Sequence, residues 1–103
     1  MYIVPMADLR IKWDAAKALG NFRKHGITFE EAETAFYDDN AILVPDPDHS
    51  YGEERFLLIG LSSALRVLVV VHFELNDGDV IRIISARRAT RSERVQYDTR
   101  WKR

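Results

Sequence analysis

An α+β fold is predicted for this chain: an antiparallel sheet of about four to five strands, two N-terminal helices packed on one face, and a C-terminal helix. Three observations carry it. Leu9-Arg-Ile-Lys-Trp13 alternates apolar and basic residues, as a half-exposed strand does, and two helix-start patterns follow it. Three β-branched, apolar stretches then succeed one another, with Asn76-Asp77-Gly78-Asp79 before the last. Asp-Gly suits the positive φ angles of a tight hairpin. Finally, Thr90-Arg-Ser-Glu93 has the spacing of a capping box and opens a C-terminal helix.

The elements follow in order. Asp14 caps the first helix, in which Ala15, Ala18, Leu19 and Phe22 form one apolar stripe, and Gly26 is placed to end it. Thr28-Phe-Glu-Glu31 is a second capping box, with Ile27 and Ala32 as a hydrophobic staple, and Ala32, Ala35 and Phe36 give that helix its core side. Asp38-Asp39-Asn40 ends it. Ala41 to Val44 reads as a short strand before the polar loop Asp46-Pro47-Asp48-His49-Ser50-Tyr51-Gly52. Strands are then expected from Glu54 to Ser62, from Arg66 to Leu75 and from Val80 to Ser85, in an antiparallel meander with the helices gathered on one face of the sheet.

A length of 103 residues fits a single domain with a modest core. There is no cysteine, which excludes disulfides and thiolate metal sites. The longest apolar run, Val67 to Val71, is far too short to span a bilayer, and Met1 to Pro5 lacks the regions of a signal peptide. A cytoplasmic protein without membrane attachment is the expectation. The net charge of −1 hides a polarity. Residues 1–79 hold 7 Lys/Arg against 14 Asp/Glu, and residues 80–103 hold 8 against 2. Positive charge concentrated in this way marks a local anion-binding surface rather than a generally basic protein.

Several motifs together resemble the BrnT toxins of bacterial type II toxin–antitoxin systems. They are Trp13-Asp14-x-x-Lys17, Asn21-x-x-Lys24-His25-Gly26-Ile27-x-Phe29-Glu30-Glu31-Ala32, Asp46-Pro47-Asp48-His49, Gly52-Glu53-Glu54-Arg55-Phe56 and Ile81-Arg-Ile-Ile-Ser-Ala-Arg-Arg-Ala-Thr90. The resemblance spans roughly residues 9–98. It implies a RelE-like fold, a ribonuclease activity that arrests translation, and neutralisation by a BrnA-like antitoxin with a ribbon-helix-helix domain. It further implies a heterotetramer of two toxins and two antitoxins that reaches operator DNA only through the antitoxin. Family members begin just before the first strand, which makes Met6 a candidate start and residues 1–8 a candidate N-terminal extension. The basic C-terminal catalytic set of the better-known RelE members has no residue-by-residue equivalent here, so the acid and base stay unassigned.

RNA cleavage without a metal or other cofactor needs the ribose 2′-oxygen deprotonated, the phosphate's growing charge stabilised and the leaving oxygen protonated. Arginine suits the second task, because its fork matches two phosphate oxygens and it stays charged at any working pH. Arg55, Arg82, Arg87 and Arg88 are the candidates. Each has the ordinary alternative of a solvated charge or rim ion pair. Simple alternation puts Arg82, Ile84, Ala86 and Arg88 on one face and Ile81, Ile83, Ser85 and Arg87 on the other. Arg82 and Arg88 are therefore expected to act together, with Arg87 structural, antitoxin-facing or paired with an acid such as Glu93.

For proton transfer the candidates are His72, which is otherwise a satisfied, partly buried core histidine, and His25 or Lys24 at a helix C-terminus, where capping is the ordinary role. Lys24, His25, Arg87 and Tyr97 are candidate substrate contacts. Tyr97 has core or antitoxin packing as its alternative. Asp46, Asp48 and His49 suggest a turn rather than a metal site. Set against the ribonuclease reading is a module that binds RNA or an acidic partner through the same basic face without cutting anything.

Overall fold

A computed structural model describes residues 9–46, 54–75 and 78–100. The elements are β1 (Arg10–Trp13), α1 (Ala15–His25), α2 (Phe29–Ala35), β2 (Ile42–Pro45), β3 (Arg55–Leu61), β4 (Val67–Leu75), β5 (Val80–Arg88) and α3 (Arg91–Thr99). The five strands form one sheet in the order β1-β5-β4-β3-β2. From β2 to β5 the strands are an antiparallel meander, as the turn signals require, whereas β1 pairs with β5 in parallel. The sheet is therefore mixed rather than wholly antiparallel. Pro45, which lacks an N–H, is confined to an edge strand.

Local signals place the helix ends. Asp14 accepts the Lys17 N–H, and Gly26 closes α1 at φ 72, in the left-handed region where glycine is favoured. Thr28 accepts the Glu31 N–H, but the return half of that capping box is missing. The Glu31 carboxylate turns to Ser62 and Arg66 instead. At Thr90 both halves of the box are present.

The face covered by α1 and α2 carries the larger core, with Ile27, Phe29, Ala32, Ala35, Leu58, Leu68, Val70, Ile81, Ile83 and Ala86. Gly60 permits the approach of α2, since a Cβ there would meet the Ala35 carbonyl oxygen at 2.9 Å. A smaller cluster of Ile59, Val69 and Tyr97 lies with Leu57, Leu61 and Val67, which alternate with the first set along β3 and β4. So α3 packs on the opposite face, and the three helices are not gathered on one.

The apolar stripe expected for α1 is not the side it buries. Leu19 and Phe22 are 52% and 51% exposed, while Asn21 is buried. Its amide Nδ2 donates to the carbonyls of Ile27 and Ala86 at 3.0 and 2.8 Å, and its Oδ1 accepts the Ala86 N–H at 3.0 Å. A side chain that satisfies three backbone groups at once outweighs the burial of two apolar ones. It turns the helix so that Ala18 and Asn21 face the sheet.

Candidate nucleic-acid interface

Asn21 docks on Ala86, two residues beyond the point where β5 departs from regular pairing. Val71 pairs with Ser85, but His72 pairs with Ile83, so Ile84 is an extra residue in the ladder. An inserted residue reverses the alternation beyond it. Ile81, Ile83, Ala86 and Arg88 consequently lie on the helix-covered side, and Arg82, Ser85 and Arg87 lie on the other. Arg82 and Arg88 do not share a face, contrary to simple alternation.

Residues paired directly across strands project to the same side. The register pairs Lys12 with Arg82, Arg82 with Phe73, and Phe73 with Arg55. These four side chains thus form one row across β1, β5, β4 and β3, about 14 Å long at a strand spacing of ~4.8 Å. Arg10, two residues before Lys12, projects to the same side. Lys12 and Arg10 are exposed, and Arg82, Phe73 and Arg55 are half-buried. Arg55 donates from Nε to Asp46 at 2.8 Å. α3 shares this face but packs toward its other end, through Tyr97 on Ile59 and Val69.

A second basic feature lies at that far end. Leu65, Arg66, Val67, Arg88, Ala89, Arg94 and Asp98 line an open cleft of about 360 Å³. Arg66 is committed to Glu31, donating to both carboxylate oxygens, and this pairing holds the Glu31 carboxyl below its ordinary range. The guanidinium groups of Arg88 and Arg94 have no hydrogen-bond or ion-pair partner among the described residues.

The other candidates are not brought to the row. His72 is fully buried on the helix-covered face, edge-on to Phe36 at 4.8 Å and stacked near Phe56 at 6.1 Å. Its ring nitrogens face the Val70 carbonyl at 3.3 Å and Glu74 Oε2 at 3.4 Å. The sheet therefore stands between His72 and Arg82. Lys24 and His25 are carried by α1, also on that face. Arg87 clasps Glu93 with two hydrogen bonds of 2.8 and 3.0 Å, which depresses the Glu93 carboxyl to about 2. Tyr97 donates to Asp38 Oδ2 at 2.5 Å, and burial, followed by that carboxylate, pushes the phenol up to about 12. Burial raises Asp38, but the donors Tyr97, Leu61 N–H and Asn40 N–H together hold it below its ordinary value.

Asp48 and His49 lie outside the described residues, so only Asp46 of that motif is placed, against Arg55. Among the described residues no three His, Cys, Asp or Glu side chains are grouped as a metal would require.

The model of the family described as the ribonuclease toxin, BrnT, of type II toxin–antitoxin systems matches residues 13–93. This chain belongs to the BrnT toxin family. A solved relative agrees. The 1.1 Å crystal structure of the Brucella abortus ribonuclease toxin BrnT superposes with a TM-score of 0.62 at 25% identity, covering 81% of this chain and 99% of that one. No curated protein matches the chain. Membership makes it a toxin of a type II toxin–antitoxin pair, in a family of ribonucleases with an antitoxin as partner. Among the described residues no helix is long and apolar enough to cross a membrane.

Two residues of the row escaped the sequence reading. The basic side of the first strand was legible in its alternation, but its place beside Arg82 depends on the parallel β1–β5 pairing, which nothing local announces. Phe73 was masked by its neighbour His72. Alternation alone puts those two on opposite faces, and that was the available signal.

Proposed function

We propose that this BrnT-family chain is a metal-independent endoribonuclease that arrests translation in the cytoplasm, and that its RNA lies along the Lys12–Arg82–Phe73–Arg55 row. The juxtaposition of cations and one partly exposed aromatic ring on a sheet face is the observation that carries this reading. Single-stranded nucleic acid is held in this manner elsewhere: the cationic groups follow the phosphates, and a base stacks on the aromatic face.

Arg82 is central to it. It stands within the otherwise apolar run Val80–Ile84 of β5, its guanidinium without an ion-pair partner among the described residues, so its charge is free to meet phosphate. Placed at the scissile group, its fixed charge opposes the negative charge that grows on the phosphate as the 2′-oxygen attacks. Lys12 and Arg10 extend the positive field along the strand. Arg55, oriented by Asp46, marks the far end of the row. A ribbon-helix-helix antitoxin of the BrnA kind, in a complex of two toxins with two antitoxins, completes the proposal.

The test is cleavage of a single-stranded RNA by the purified chain with EDTA present. The intact chain is expected to cut, and Arg82→Ala to slow cutting by about a hundredfold. Binding without cutting would favour the alternative of a non-catalytic RNA-binding module. Neither binding nor cutting would end both readings.

A further inference from the structure

The cleft at the far end of the sheet has a chemistry different from that of the row. Its basic lining comes from Arg66, Arg88 and Arg94, and Asp98 is beside them. Among the described residues no aromatic side chain lines it for a base to stack on.

What the cleft does offer is an aliphatic side chain held out to solvent. Leu65 is 80% exposed and lies at φ 62, the left-handed region that residues with a Cβ rarely occupy. It closes the β3–β4 hairpin, where Ser62 and Arg66 bond through Ser62 N–H, and Leu65 N–H donates to the Ser62 carbonyl. The left-handed position of such a turn ordinarily goes to glycine. Folding therefore gains nothing from a leucine here, either in backbone comfort or in burial. Val95, one helical turn from Arg91 and from Asp98, is also 53% exposed.

We propose that this cleft receives an acidic segment of a protein partner, whose carboxylates meet Arg88 and Arg94 while an aliphatic side chain of the segment sets against Leu65. Charge complementarity selects the occupant: two guanidiniums unpaired among the described residues call for carboxylates, and an exposed leucine calls for an apolar anchor. From the reading above it takes only that a type II toxin has a protein partner. It does not depend on where RNA binds.

The experiment uses the full chain and a fluorescent synthetic peptide alternating glutamate and leucine, with a lysine–leucine peptide and a single-stranded RNA as comparisons. The acidic peptide is expected to bind and the lysine peptide not to. Arg88→Glu, Arg94→Glu and Leu65→Gly should each weaken peptide binding by roughly tenfold, while RNA binding stays at the level of the intact chain. Leu65→Gly separates this role from a structural one, since it is expected to keep or raise the melting temperature while binding falls. The proposal is overturned if the acidic peptide fails to bind, or if the three substitutions leave its binding unchanged. It is equally overturned if Arg88→Glu reduces RNA binding as much as Arg82→Glu does, which would give the cleft to RNA. A failure of RNA to bind anywhere counts against the proposed function and leaves this inference standing if the peptide results hold.

Discussion

Arg82 and Arg88, an even number of positions apart on β5, project to opposite faces of the sheet because Ile84 is inserted between them. One extra residue thus divides the arginines of β5 between the two faces of the sheet, to which we assign different partners. Salt dependence separates them. Each cation that contacts a phosphate contributes about 0.7 to the slope of log affinity against log salt for a single strand. Arg82→Ala and Lys12→Ala should each lower the RNA-binding slope by about that much. Arg88→Ala should leave it unchanged, as titrations across salt concentrations would show.

Asn21 ties α1 to β5 two residues beyond the bulge. Replacing Asn21 with alanine leaves the Ala86 N–H and two carbonyls unpartnered in a dry site. A loss of about 3 kcal/mol in denaturant-measured stability is expected. Unchanged stability would show that α1 is not docked by this amide.

The rotation of α1 makes the opposite forecast for its apolar residues. Leu19→Ser and Phe22→Ser should each change stability by less than about 1 kcal/mol, because both side chains are already half in water. A loss as large as that of a core residue would restore the stripe expected from sequence.

Acid should loosen the start of α3. The folded Glu93 carboxyl, clasped by Arg87, titrates at about 2 against an ordinary value of 4.5. The stability it contributes is present above 4.5 and is lost as pH falls through about 2. Melting temperatures of the intact chain should fall across that window, and Glu93→Gln should flatten the fall.

Alkali acts on the other anchor of α3. Tyr97 is raised from 10.0 to about 12, so its contribution is complete below 10 and lost as pH rises through about 12. Tyr97→Phe should remove that alkaline loss and cost about 1 kcal/mol at neutral pH, measured by denaturant unfolding.

Much of this was legible in the sequence because it is written locally. The caps at Asp14, Thr28 and Thr90, the stop at Gly26 and the β3–β5 meander all follow from residues a few positions apart. What was not legible depends on distant partners. Glu31 has the right spacing for a capping box, yet its carboxylate is taken by Arg66, 35 positions away. Asn21 looks like a surface residue until Ala86, 65 positions on, supplies its partners. The family resemblance was visible in the motifs. The division of its arginines was not, because the bulge that causes it shows only when β5 is laid against β4.

The row itself is tested most directly by where RNA touches the chain. A single-stranded RNA carrying photoreactive 4-thiouridine, irradiated with the intact chain and mapped by mass spectrometry, should attach at Phe73 and at residues beside it on β1, β4 and β5. Crosslinks confined to α1, or to the cleft around Arg88 and Arg94, would contradict the account.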